Sequence, residues 1–421
     1  MSAQEFISLL VENISSFIMA FLFSHLMFYY IYRYRVRSIL DPLLVKIFFI
    51  GCANSVPLFL FLIKSIEVEL FFFFVASQVL FWILFYFGFS KKHKQNIIIS
   101  EWEKFDTFFL LVCLTIYIVS ILFYVKLNGI PIFNDNRFAR NYDGVSGLLG
   151  LLERLKSSVS LLLVIYSIYL FNSKKRIIGV ALLFLIISCS ILFGSKAFIL
   201  LIIEGFFFYY LFYCGKLPSI KTKYIIIIVL TPVLVITLSN VGSSYGSAFL
   251  FYAYRLLANG DMYWNAYPNN VVGEIDMGNP LINMTYYLWA PFRHIIGLQI
   301  PDEIMTTGGS RVFEIASGFE PTGGAPNSSF SLMFWIYYKW WGLIGVAVMG
   351  RVCAKMCCLQ TYKKKNTLIN VCFRGLLYMC ALSFILDIYL FFNGLFNLFL
   401  FYIIYKGMKL LYGLLIVRKN V

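Results

Sequence analysis

Six basic residues stand at the ends of apolar runs or in the polar segments between them: Arg137, Arg140, Lys196, Arg255, Arg293 and Arg311. A guanidinium stays charged and meets two phosphate oxygens at once, so such a set suits a phosphate-bearing anionic group beside a lipid surface. Among them stand Asp261, His294, Glu314 and Glu320, residue types able to take a proton from an attacking hydroxyl. The charge of Arg293 opposes protonation of its neighbour His294 and favours a neutral imidazole base. Together these residues describe transfer to a hydroxyl with loss of a phosphate-type leaving group. The plainer alternative is that each arginine pairs with a nearby acid and that His294 is an interfacial side chain.

Other chemistries leave no such trace. There is no glycine-rich phosphate loop of the G-x-x-x-x-G-K-[ST] form, which speaks against ATP-driven transport. No D-x-D is present, and the nearest acidic pairs are Glu67-x-Glu69 and Glu274-x-Asp276. Neither a metal nor a cofactor is therefore expected. Cys353, Cys357 and Cys358 have no histidine nearby and read as helix-packing thiols. Glu204 falls within an apolar run, where a carboxylate is a functional candidate by default.

The elements that must position these groups are membrane helices. Of 421 residues, 61% are hydrophobic and 13% charged, and the mean hydropathy is +0.81, which excludes a soluble multidomain enzyme. Eleven apolar runs are long enough to be spans: 14–31, 43–63, 70–89, 107–125, 149–171, 177–193, 197–213, 224–238, 332–350, 376–389 and 395–411. The last two are divided only at Asn393 and Gly394. Basic residues gather at every second boundary: Arg33 to Arg37, Lys91 to Lys94, Lys174 to Arg176, Lys216 to Lys223, Arg351 to Lys365, and Lys406 to Lys419. By the positive-inside rule those boundaries are cytoplasmic, with the N-terminus outside and the C-terminus inside. The net charge of +15 is then a record of topology, and no nucleic-acid partner is expected.

This reading divides the chain into N-terminal membrane helices (1–238, about eight spans), a large outer loop (239–331) and C-terminal membrane helices (332–421, about three spans). Within the loop, Trp264, Tyr267, Tyr286, Tyr287 and Trp289 read as interfacial aromatics. The run Gly308-Gly309, then Arg311 and Glu314, then Gly323-Gly324 with Pro326 and Asn327, reads as a compact segment with close backbone approaches suited to a ligand.

Four short motifs carry a family resemblance. They are Phe193-Gly194-Ser195-Lys196-Ala197-Phe198, Tyr254-Arg255 with Gly260-Asp261, Gly324-Ala325-Pro326-Asn327, and Trp341-Gly342-Leu343-Ile344-Gly345. With the layout of many spans and a dominant loop in the second half, the chain resembles the O-antigen polymerases, the Wzy-type oligosaccharide repeat-unit polymerases. The resemblance implies an all-α polytopic protein of the bacterial inner membrane, with a GT-C-like bundle and a large periplasmic loop. It further implies transfer of a growing glycan from undecaprenyl diphosphate to the next undecaprenyl-diphosphate-linked oligosaccharide. Arg255, Arg311, Asp261, His294 and Glu314 would be the catalytic set, with Lys196, Arg293, Asn327, Arg137 and Arg140 binding substrate. Partners would be the lipid bilayer, a lipid-linked repeat flippase and a chain-length regulator.

Lys196 departs from the family's usual arginine and loses the bidentate fork. Asn327 lies between Pro326 and Ser328, where the related O-antigen ligases carry a histidine, which favours polymerase over ligase. A flippase or secondary transporter, the remaining alternative, would line a path through mid-bilayer with charge.

Overall fold

The computed structural model describes residues 1–88, 104–130, 147–193, 198–218, 253–292, 306–319, 326–358 and 367–419, and their regular structure is entirely helical. The longer helices are α1 (Ala3–Glu12), α2 (Ile14–Tyr32), α3 (Pro42–Leu62), α4 (Val68–Gly88), α5 (Lys104–Asn128), α6 (Gly147–Asn172) and α7 (Arg176–Leu192). They continue as α8 (Phe198–Phe208), α9 (Gly308–Ser317), α10 (Phe330–Tyr338), α11 (Gly342–Cys357), α12 (Leu368–Ser383) and α13 (Ile388–Lys419).

Among the described residues, seven segments are long and apolar enough by length and composition to cross a membrane, one of them (Phe330–Cys357) broken internally, and three shorter apolar helices accompany them. The molecule is thus a multi-pass, all-helical membrane protein. These ten segments fall on ten of the expected spans, and the eleventh, 224–238, lies outside the described residues.

The reason for the helices is the apolar surface they present. On α2, α4 and α7 large apolar side chains such as Leu22, Phe23, Phe72, Ile177 and Phe184 point outward, as lipid-facing helices require. The inner faces pack aromatics, among them Phe81 with Trp82 and Phe85, and Phe61 stacked on Phe71 at 3.8 Å. Cys353 and Cys357 are buried at the contact of α11 with α4 and α12, the packing role expected of them.

The boundary between the last two helices is not at Asn393-Gly394. Both lie inside α13, and the break falls at 384–387. Asp387 makes it: its carboxylate accepts the N–H groups of Tyr389 (2.7 Å) and Leu390 (3.2 Å), capping the start of α13. Gly394 serves close packing instead, with the Cys380 side chain 3.1 Å from where a β-carbon would sit.

A second difference concerns the expected single span at 332–350. Helix α10 starts beside Phe81 (Phe330 to Phe81, 4.7 Å) and climbs toward the start of α4, where Trp335 meets Phe73 and Trp340 Nε1 donates to Glu69 at 2.9 Å. The chain then reverses through Lys339–Trp341, and α11 descends past Phe81 again, at Gly350, to Gly88. Phe81 is twelve residues beyond Glu69, so α10 begins about 18 Å along α4 at 1.5 Å per residue. It is a half-helix whose first residue lies deep in the bundle.

The segment before α10 is drawn in with it. So is the turn Ala258–Gly260 with the short helix Asp261–Ala266: Gly260 lies against the backbone of Ala53 at the middle of α3, with no room for a side chain. The aromatics assigned to the interface follow. Trp264, Tyr267 and Tyr286 are buried in protein; Tyr287 and Trp289 are half-buried.

Candidate functional site

Where irregular backbone enters the bundle, its polar groups must be satisfied by protein, since hydrocarbon offers no partners. Three successive amides ahead of α10 are served in this way. Asn327 N–H donates to Asp261 Oδ1 (3.2 Å), Ser328 N–H to Asp387 Oδ2 (2.9 Å) and Ser329 N–H to the thioether of Met262 (3.2 Å). The Ser328 carbonyl in turn accepts Ile388 N–H at 3.1 Å. Two carboxylates from distant parts of the chain therefore grip one short stretch.

Hydroxyls extend the network. Tyr263 OH bonds to Ser329 and lies 2.8 Å from Ser331 Oγ. Tyr389 OH donates to Asn283 and accepts Gly308 N–H at 3.0 Å, while Gly309 N–H donates to Ser328 Oγ at 2.9 Å. The first amides of α9 are thus occupied by protein. The close approach at Gly309 is to the carbonyl of Pro326, only 1.8 Å from an added β-carbon, so this glycine pair serves chain packing.

Asp261 is enclosed by protein yet partly exposed as a residue, and the same holds for Lys46 on α3 and Glu204 on α8. At Asp261, where the turn enters the bundle, enclosure with residual exposure defines a crevice. Burial pushes the Asp261 carboxyl up to about 8, opposed by its backbone hydrogen bonds and assisted by repulsion from Asp387. Tyr254, next to Arg255, is raised chiefly by burial and then by the Asp261 charge, with Arg255 acting the other way. Lys46 feels the charges of both Glu204 and Asp387.

Of the expected residues, Asp261 and Asn327 are brought together at the crevice, and Arg255 follows Tyr254, the tyrosine that feels the Asp261 charge. Arg311 and Glu314 meet each other instead: a 2.8 Å ion pair one turn apart on α9, with side chains about 29% and 36% exposed. Lys196, Arg293, His294, Arg137, Arg140 and Glu320 lie outside the described residues.

Other polar groups of the interior are absent from the expected set. Lys46 and Asp387 join Glu204 inside the bundle, and the signal for both was a charge in an apolar run. Asp387 also precedes an apolar helical stretch, an N-cap pattern. Arg154 is buried on α6, where Nη1 donates to the Tyr287 carbonyl and the guanidinium lies 4.7 Å from the Phe396 ring centre. Its Nη2 has no hydrogen-bond partner among the described residues.

As for chemistry, a carboxyl titrating near neutrality in a crevice can accept a proton from a hydroxyl and later release it. Among the described residues no cluster of three His, Cys, Asp or Glu side chains forms a metal site. Comparison of the chain with protein-family models, curated proteins and solved structures finds no match.

Proposed function

We propose that the protein is a polymerase of undecaprenyl-diphosphate-linked oligosaccharide repeat units, a glycosyltransferase of the bacterial inner membrane with its N-terminus periplasmic and C-terminus cytoplasmic. The observation that carries the reading is the position of Asp261: a carboxyl tuned to about 8, in a crevice where the loop between the two membrane halves folds back into the bundle. In this reading Asp261 takes the proton of the acceptor hydroxyl as that oxygen bonds to the sugar carbon. The bond from that carbon to the lipid diphosphate breaks, and the departing charge is met by Arg255. Protein-lined apolar helices suit the lipid tails. No cofactor takes part. The flippase and chain-length regulator implied by the family resemblance are the partners proposed.

A second reading has its own support. Lys46, Glu204 and Asp387 place charge inside the bundle, where a flippase or secondary transporter of lipid-linked oligosaccharide would need it. Deleting the gene and resolving the surface polysaccharide on a gel separates the two. The polymerase reading expects core lipid carrying a single repeat unit. Bare core would sink it and point to a flippase or an O-antigen ligase.

A further inference from the structure

We propose that a groove distinct from the Asp261 crevice, at the start of α4, is a saccharide-binding subsite. The groove encloses about 310 Å³ and is lined by Glu67, Glu69, Asn270, Trp335 and Lys339, with Leu70, Val272 and Gly273 completing it. That volume is at the small end of ligand sites, which run from about 300 to 1,000 Å³. The proposal rests on the lipid-linked oligosaccharide reading for its substrate class and adds where the glycan is held.

Three separate parts of the chain converge here. Glu69 comes from the first turn of α4 and Glu67 from the residue before it, Asn270 from the turn after Pro268, Trp335 from α10 and Lys339 from the reversal that follows it. Glu67, Glu69, Asn270 and Lys339 are exposed, whereas Trp335 forms a floor, 93% covered, between Phe73 and Trp340. Acids at a helix start have an ordinary explanation, the favourable macrodipole. That accounts for Glu67 and Glu69 but not for the amide, ammonium and indole brought to the same groove from elsewhere.

The chemistry selects the ligand. Carboxylates accept hydrogen bonds only, an ammonium donates only, and an amide does both, so the lining matches the alternating donors and acceptors of a hydroxylated ring. Indole provides the apolar surface against which the C–H face of such a ring can pack. Two carboxylates against one ammonium make a poor place for a diphosphate, so the groove fits the glycan part of a lipid-linked substrate and not its anionic head. Glu69 already holds Trp340 Nε1, which fixes the carboxylate and leaves its second oxygen for a ligand. The backbone supports the same conclusion. Asn269, Asn270 and Lys339 all adopt positive φ (61°, 55° and 48°), and such conformations persist where surrounding structure or function demands them.

The test is ligand-observed saturation-transfer NMR on the full chain in nanodiscs, with chitotriose and maltotriose as probes. Wild type is expected to give a saturable signal with at least one of them. The double variant Glu67→Gln/Glu69→Gln should weaken it about tenfold, the loss expected when charge-assisted bonds become neutral ones. Asn270→Gly, which removes the amide while keeping the positive φ, gives an independent second variant and should also weaken binding. Absence of a signal from both probes, or equal affinity in both variants, overturns the subsite. Displacement of the saccharide by submillimolar calcium chloride would also overturn it, identifying a cation site instead. Chain lengthening by wild-type membranes is assayed in parallel. Lengthening without saccharide binding defeats the subsite alone, and binding without lengthening defeats the polymerase reading while the subsite stands.

Discussion

Asp261 and Arg311 belong to the same inter-span stretch of the sequence, and each is a charged residue one or two positions after a glycine, yet the fold treats them oppositely. Arg311 lies on α9, where Glu314 one turn away pairs with it at a position about one-third exposed. Asp261 is carried to the middle of α3, its carboxylate bonded to a backbone amide and repelled by a second carboxylate. A loop charge that finds an opposite charge on its own helix remains local. One that enters the bundle must be matched by remote segments, and there its proton affinity becomes sensitive to the whole structure. The comparison therefore separates a region built for tuned chemistry from one built for solubility, and it can be broken experimentally.

The largest effect is expected at Asp387, which holds the interior region together. Its two oxygens accept three backbone N–H groups, from Ser328, Tyr389 and Leu390. Asp387→Ala orphans all three in the bundle, at about 1–3 kcal/mol each. The expected outcome is a severe loss of folded protein, with Asp387→Asn intermediate because one acceptor oxygen remains. Buried Cys353, Cys357, Cys372 and Cys380 supply the readout, since a thiol-reactive dye reports their exposure on heating in detergent. An alanine variant melting at the wild-type temperature would show that the grip on Ser328 is dispensable.

Asp261→Asn sharpens the contrast between structure and chemistry. Asparagine can still accept the Asn327 amide, so the fold should survive, while removal of a general base costs about 10²- to 10⁴-fold in rate. In wild type the lengthening rate should rise with pH and level off above about 8, as the carboxylate form fills. Stability should move the other way. A carboxyl whose affinity for protons is higher in the folded state stabilises the fold fully below its unfolded value near 4. That stabilisation is lost as pH rises through about 8. Relative to wild type, Asp261→Asn should therefore become steadily more stable between about pH 5 and pH 8. Parallel melting curves for the two proteins across that window would remove Asp261 from the crevice.

The scaffold was legible in the sequence because its evidence is local: runs of Phe, Ile and Leu about 20 residues long can only be helices in lipid. Asp261 and Asn327 were legible as types of residue, but their 3.2 Å contact spans sixty-six positions and leaves no local mark. The reversal at Lys339 was hidden for a related reason. Apolar residues continue through 330–357 on both sides of it, and hydropathy has no sign for direction. Trp264 and Tyr267 misled because aromatics prefer both membrane interfaces and protein cores, and only the depth of Gly260 against Ala53 decides between them. The Lys46, Glu204 and Asp387 group is legible only in part, since three charges in three runs do not announce that they share one interior.

The smallest effect is expected at Arg311, and it is the one that tests whether proximity in sequence was a sound guide. In the sequence Arg255 and Arg311 looked equivalent, two guanidiniums poised for a diphosphate. In the fold Arg255 adjoins the tyrosine that feels Asp261, whereas Arg311 forms its ion pair with Glu314 on a separate helix. If Arg255 meets the departing diphosphate, Arg255→Ala should cost roughly 30- to 1,000-fold in lengthening rate, and Arg255→Lys should recover part, keeping charge but not the fork. Arg311→Ala removes a half-exposed helix pair, for which about 0.3–0.5 kcal/mol is typical. Full-length polymer at near-normal yield is then expected. Glu314→Gln should match it, and the double variant should be no worse than either single change, because both remove the same pair. The measurement is polymer length and yield at matched protein levels for the five variants and wild type. Loss in Arg311→Ala that Glu314→Gln does not share would mean that the arginine leaves its partner for the substrate, and α9 would then belong with Asp261 in the reacting region.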